Sequence, residues 1–245
     1  IYLNSGTSLR YYTDSADRIT GDDMVARKWY HVAVARSGTS TKMFLNGIQQ
    51  GATYSDSNNY LNGDTTIGCR ADGSTGDLVG YMSNVRVVKG TAVYTADFAP
   101  PTSPLTNITN TKLLCCQSIS SVFAADVVPD AGSGTALLNA PLSSTPFADS
   151  SSTSATITNT GSITTASAGT NSFDITNAAS LDGSTQRLST NNTNMSFINS
   201  WTLDVWFKLD GSASGYNALV NTGYGAATSP YMYFGLDDDE KPYVE

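Results

Sequence analysis

A two-residue periodicity in residues 29–50, WYHVAVARSGTSTKMFLNGIQQ, constrains the fold more than any other feature of the chain. Successive side chains of a β-strand point to opposite faces, so this period in a stretch rich in aromatic and β-branched residues predicts two strands. Residues 37–40 predict the turn between them. Asn46-Gly47 predicts a second, tight turn of type I′, in which both central residues have positive φ. The stretch therefore predicts an antiparallel sheet.

A second strong strand pattern occupies residues 201–209, WTLDVWFKL. Its apolar side chains recur at every second position, which predicts a strand with one face in a core and the other face polar. The predicted core face carries Trp201, Leu203, Val205, Phe207 and Leu209. The opposite face carries Thr202, Asp204, Trp206 and Lys208.

Composition supports an all-β protein and excludes some classes of function. Charged residues make up only 14% of the 245 residues, which does not suit helical bundles, whereas 40% hydrophobic residues suffice for a core. The net charge of −8 disfavours nucleic-acid binding, because that binding relies on Lys and Arg. No apolar run approaches the ~20 residues of a membrane-spanning helix, so we predict no membrane span.

Several of these stretches resemble a known family. The segment WYHVAVARSGTSTKMFLNG resembles the central hairpin of laminin-G-like, concanavalin-A-like jelly-roll domains, and LDVWFKLDG and SFDITNAASLDGSTQRLS resemble strands of their first half. Residues 80–117, with SNVRVVKGTAVYT and LLCCQ, resemble the closing strands of versions found in structural and tail proteins of marine cyanobacterial phages. The resemblance implies an antiparallel jelly-roll β-sandwich in a phage virion protein.

The order of these resemblances predicts an unusual domain organisation. Residues 1–117 resemble the back part of one sandwich, residues 140–245 the front part of another, and 118–139 a linker. Residues 1–13 and 231–245 also resemble each other, which favours a tandem array of domains. The alternative is a circular permutation, in which both segments build one sandwich. Under either arrangement each half needs a partner to cover its sheets.

Residues able to carry catalysis are scarce in the sequence. The glucanases among the jelly-roll proteins use paired carboxylates, but the only glutamates here are Glu240 and Glu245, with Pro242 where that family has aspartate. His31 is the single histidine and stands in mid-strand, so we predict a packed or hydrogen-bonded role for it. We therefore expect no enzyme activity, and a glycoside hydrolase is the least favoured alternative.

Ligand binding is a better-supported expectation. Glycan sites use aromatic faces with polar neighbours, and Trp206 is the best placed aromatic residue because it shares a predicted polar face with Asp204 and Thr202. Tyr11 and Tyr12 are further candidates. The competing interpretation is that a loop or a neighbouring domain covers Trp206.

Metal binding has one candidate region. Asp72 and Asp77, in a Gly-rich loop, could supply oxygens to a calcium ion, although such loops usually serve as turns. The three cysteines, Cys69, Cys115 and Cys116, predict neither a disulfide framework nor a zinc site. We expect no other cofactor.

The resemblance, together with the scarcity of catalytic residues, implies a non-catalytic segment of a phage tail fibre or similar adhesin, located in the virion. Its expected partners are a glycan or protein of the host surface and neighbouring copies or domains of the same protein. The alternatives are a purely structural spacer or decoration protein, and an adhesin of a bacterial cell surface.

Overall fold

A computed structural model describes residues 8–60, 65–69, 78–116, 156–161, 163–167, 177–183, 186–190, 197, 199–210, 217–222 and 232–236. These residues contain fifteen strands and no α-helix, and hence no helix that could span a membrane. The strands are β1 (Ser8–Thr13), β2 (Ala16–Asp23), β3 (Tyr30–Ser37), β4 (Ser40–Leu45), β5 (Ile48–Ser55), β6 (Thr65–Ile67), β7 (Val79–Lys89), β8 (Thr111–Cys115), β9 (Thr158–Thr160), β10 (Thr164–Ser167), β11 (Asn177–Asp182), β12 (Arg187–Thr190), β13 (Trp201–Leu209), β14 (Asn217–Thr222) and β15 (Met232–Leu236).

The strands form two antiparallel sheets. The seven-stranded sheet has the order β2-β1-β15-β14-β6-β12-β9, and the eight-stranded sheet has the order β10-β11-β7-β13-β3-β4-β5, with β8 also paired to β7. The long strand β7 pairs with β11 along its first half and with β8 along its second half. The predicted all-β, antiparallel sandwich is confirmed.

Both sheets draw alternately on the two segments of the chain. In one sheet β15 lies between β1 and β14, and in the other β13 lies between β7 and β3. Both segments thus contribute strands to the same two sheets, and the choice between a tandem array and a circular permutation stays a prediction. The boundaries 1–117, 118–139 and 140–245 stay a prediction, because residues 117–155 lie outside the described part of the chain.

The central hairpin has the predicted register and turns. Ser37 pairs with Ser40 and Val32 with Leu45, so residues 38 and 39 form the first turn. At the second turn both Asn46 and Gly47 have positive φ, 49° and 81°. A type I′ turn requires positive φ at both central residues, and β-hairpins favour this turn because its twist matches that of the flanking strands.

Apolar side chains from both sheets form the main core. The predicted core face of β13 is confirmed, since Trp201, Leu203, Val205, Phe207 and Leu209 are all buried there. They pack with Val32 and Val34 of β3 and with Leu9, Ile67 and Val220 of the opposite sheet. Burial of each large aliphatic side chain stabilises the fold by about 1.5–3 kcal/mol.

The outer face of the eight-stranded sheet is covered by an irregular segment, residues 91–108, which we call the strap. Tyr94 and Phe98 of the strap pack on Ala33, Ala35 and Phe44. Backbone amides fix the strap at its two ends: that of Val93 donates to Thr202 Oγ1 at 2.7 Å, and that of Leu105 to Asn84 Oδ1 at 2.8 Å. The sheet is therefore buried on both faces where the strap crosses it.

Candidate functional site

The predicted ligand-binding side chains of β13 share one face, as expected, but that face is covered. Thr202 and Asp204 are fully buried and Trp206 is 4% exposed. The small side chains of Ala33 and Ala35 on neighbouring β3 leave room for the rings of the strap to lie against the sheet. The exposure expected of a ligand-binding Trp206 is therefore wrong, because its ring is buried.

The two tyrosine candidates lie on opposite faces of the seven-stranded sheet. Tyr11 is fully buried in the core, so its expected exposure is also wrong. Tyr12, one residue further along β1, points the other way, is partly exposed, and lies opposite Asp17 of β2. Asp72 and Asp77 lie outside the described residues, among which no group of three or more metal-ligating side chains occurs.

A buried ion pair occupies the space beneath the strap. Arg86 of β7 donates from Nη2 to Asp204 Oδ2 at 2.8 Å and from Nε to Oδ1 at 3.2 Å. The Tyr94 hydroxyl donates to Asp204 Oδ2 at 2.9 Å, and Arg86 Nη1 donates to the carbonyl of Thr106 at 3.3 Å. We call Arg86, Tyr94 and Asp204 the Asp204 cluster.

The electrostatics of the Asp204 cluster favour a permanently charged carboxylate. Burial by itself would raise the pKa of Asp204, but the Arg86 guanidinium, which donates two hydrogen bonds to the carboxylate, outweighs it and lowers that pKa below its ordinary value. Burial, together with the Asp204 charge, raises the pKa of Tyr94, so this hydroxyl keeps its proton. The cluster joins sheet to strap and offers no group for proton transfer near neutral pH.

His31 lies beside the cluster as a packed residue. It is fully buried among the rings of Tyr94, Phe98 and Trp206, at centroid distances of 6.1, 5.7 and 5.2 Å. Its Nε2 is 3.9 Å from Asp204 Oδ2, which exceeds hydrogen-bond distance. The predicted packed role of the histidine is confirmed.

Sequence reasoning missed Arg86 and Tyr94. Arg86 is a lone arginine in the apolar run NVRVV, and it requires a carboxylate partner if its strand is buried on both faces. This isolated charge was the one signal in the sequence that could have identified it. A β-bulge in β7 prevented prediction of the side-chain directions from simple alternation. Between the core residues Met82 and Val85 the strand has one extra residue, Asn84, whose φ is +55°. Bulges redirect side chains, and here the side chain of Asn84 accepts the hydrogen bond from Leu105 of the strap.

A second buried charge lies at one end of the main core. Arg36 forms an ion pair with Asp56 at 3.4 Å, and the Tyr60 hydroxyl donates to the same carboxylate at 2.9 Å. Burial, assisted by the Asp56 charge, raises the pKa of Tyr60 to about 12. Among the described residues, the two fully buried aspartates, Asp56 and Asp204, are thus both held by an arginine and a tyrosine.

An open groove of about 230 Å³ lies beside the strap, between it and the β3–β4 hairpin. Its lining residues are Ala35, Ser37, Ser40, Lys42, Tyr94 and Thr95. Ser37, Ser40 and Thr95 are exposed, whereas Lys42 and Tyr94 are partly exposed. Lys42 Nζ donates to the carbonyl of Thr95 at 2.8 Å, which holds the ammonium group at the wall of the groove.

Tyr94 links the groove to the Asp204 cluster. Its hydroxyl binds Asp204, and its ring stacks on Phe98 with a centroid distance of 3.8 Å and an interplanar angle of 8°. Both contacts restrict the rotamers of the ring, so the aromatic wall of the groove is held in one position. Hydroxyls, one ammonium group and a fixed aromatic ring are groups suited to a small polar ligand.

Two face-to-face antiparallel sheets, with a strap over one of them, define a β-sandwich of concanavalin-A-like type. The model of the concanavalin A-like lectin/glucanases superfamily matches residues 1–93, which include β1 to β7 and the start of the strap. This superfamily is of carbohydrate-binding type. The chain matches no curated protein and no solved structure.

Proposed function

We propose that this chain is a non-catalytic carbohydrate-binding module and that the groove between strap and hairpin is its binding site. The observation that carries the proposal is the composition of the groove: hydroxyls, an ammonium group and an aromatic ring in one concave surface. Hydroxyls of Ser37 and Ser40 can pair with sugar hydroxyls, and the Tyr94 ring supplies apolar surface with little entropy cost. The match of residues 1–93 agrees with this function.

Three features of the structure favour the groove, rather than the outer face of β13, as the binding site. The groove is open to solvent, whereas Trp206, Asp204 and Thr202 are buried. Four of its six lining residues come from the β3–β4 hairpin, whose register is continuous from Val32 to Ser37. Its small volume fits one sugar residue better than a long chain, so each module would bind weakly, and repeated copies would raise the affinity by avidity.

The state of the buried carboxylates supports the non-catalytic part of the proposal. Glycoside hydrolysis needs two carboxyl groups on either side of the substrate, one of which carries a proton. Asp204 and Asp56 are each bound by arginine and tyrosine and are fully buried. Neither reaches the groove.

The wider setting of the module is a phage virion, as part of a tail fibre or similar adhesin. This assignment rests on the resemblance of SNVRVVKGTAVYT and LLCCQ to phage proteins. The first stretch lies in β7 and the start of the strap, where its Tyr94 and Thr95 line the groove, and the described part of the second belongs to β8 and the residue after it. An adhesin of a bacterial cell surface and a ligand-free spacer are the competing functions.

A glycan array tests the proposal directly. The chain is coupled at high density to fluorescent beads, and Ser40→Tyr is compared with Ala52→Tyr. Ser40 lines the groove, whereas Ala52 is exposed on β5 outside it. We expect the chain and Ala52→Tyr to retain a subset of glycans that Ser40→Tyr loses. Equal binding by both variants would place the site elsewhere, and binding to no glycan would favour the spacer.

Two further measurements separate the remaining alternatives. Release of reducing sugar from a bound glycan would establish a hydrolase in place of a binding module. Repeating the array with EDTA and then with added calcium tests the candidate metal loop of Asp72 and Asp77. Calcium-independent binding would remove the metal from the function.

A further inference from the structure

Among the residues that the structure describes, no carboxylate pairs with the Lys42 ammonium group, although the chain has an excess of acidic groups. The protein has 21 Asp and Glu against 13 Lys and Arg. In the described residues, ion pairs join Arg10 to Asp17, Arg18 to Asp14, Arg36 to Asp56 and Arg86 to Asp204. The Lys42 ammonium instead donates to the Thr95 carbonyl.

The position of Lys42 increases the strength of any contact with an anion. Its side chain is only partly exposed and its ammonium group is held at the groove wall by Thr95. Of the three donors of an ammonium group, two remain for a ligand. Charge-assisted hydrogen bonds are about twice as strong as neutral ones, and partial burial reduces their screening by water.

We propose that the groove selects an anionic sugar residue, with its carboxylate or sulfate group on Lys42. The inference rests on the proposed function and names its ligand class. The hydroxyls of Ser37 and Ser40 then bind the hydroxyls of the same sugar ring, while the Tyr94 ring contacts its apolar face. Extended polyanions such as nucleic acids are disfavoured, because one lysine stands in a molecule of net charge −8.

Surface plasmon resonance with related sugars that differ in charge tests whether the groove selects an anionic sugar. The full chain is captured at high density and exposed to three ligands: galacturonic acid, its methyl ester, and galactose 6-sulfate. The methyl ester keeps the sugar backbone and removes the charge. We expect the acid to bind at least about 10-fold more tightly than the ester, as one charge-assisted contact implies. The sulfated ligand shows which anion is preferred.

Variants at two lysines identify the residue responsible. Lys42→Gln should weaken binding of the preferred acidic ligand at least about 10-fold, and Lys42→Arg should keep most of it. Lys28→Gln removes the same charge at an exposed site outside the groove and should change binding less than about 2-fold. Raising NaCl from about 50 to about 500 mM should weaken binding by the chain but not by Lys42→Gln. Circular dichroism confirms that each variant is folded.

Two different failures can be told apart. If the methyl ester binds as tightly as the acid and Lys42→Gln has no effect, the anionic selection is refuted while the glycan function stands. If neither these ligands nor any glycan of the array binds, both proposals are refuted.

Discussion

Replacement of Asp204 by asparagine tests whether the Asp204 cluster holds the strap on the sheet. The variant keeps the shape of the side chain and removes its charge, which leaves the buried Arg86 guanidinium without a counter-ion. Removing one partner of a buried ion pair costs about 3–5 kcal/mol of unfolding free energy. For a protein of this size the melting temperature should fall by roughly 6–20 °C.

Chemical denaturation followed by tryptophan fluorescence measures this loss. Asp210→Asn is the matched control, because Asp210 directly follows β13 and is exposed. It should cost less than about 0.5 kcal/mol. Combining Asp204→Asn with Arg86→Met removes the unpaired charge and should recover part of the loss, and the double-mutant cycle then gives the coupling energy. A cost for Asp204→Asn below about 1 kcal/mol, or no recovery in the double variant, would refute a stabilising cluster.

The remaining predictions concern pH and backbone geometry. Because the pKa of Asp204 is lowered in the folded state, the stabilisation by its charged form is present above about pH 4 and is lost as the pH falls. Asp204→Asn should therefore lose less stability than the parent chain between about pH 4 and pH 2. The pKa of Tyr60 is raised to about 12, so its protonated form stabilises the fold below about pH 10. About 2–3 kcal/mol of unfolding free energy should be lost as the pH rises to about 12. Denaturation of Tyr60→Phe should show a smaller loss over the same pH range. Gly47→Ala should cost about 1–3 kcal/mol more than Gly38→Ala. Both glycines have positive φ, but a Cβ at Gly47 would overlap with the Phe98 carbonyl oxygen, whereas Gly38 faces open space. Equal costs in denaturation experiments would contradict this steric explanation.

The parts of the fold that were predictable follow from local patterns. The alternation in β3 and β13 identifies which side chains share a face, and Asn46-Gly47 specifies its turn through φ. The groove was not predictable in this way. Its walls come from β3, β4 and a strap about fifty residues further along, and nothing in a local window shows that these segments meet.

Sequence alone determined the class of fold, the membership of each strand face and the scarcity of catalytic groups, because strand periodicity and side-chain chemistry are properties of neighbouring residues. Only the tertiary structure decided which faces meet water. Trp206 lies on the polar face that its strand predicts, yet it is buried, and Asp204 on the same face is covered by Tyr94, which lies more than a hundred positions earlier. Arg86 and Asp204 are 118 residues apart, and their pairing makes that cover stable. Exposure therefore depends on long-range contacts that no periodicity encodes.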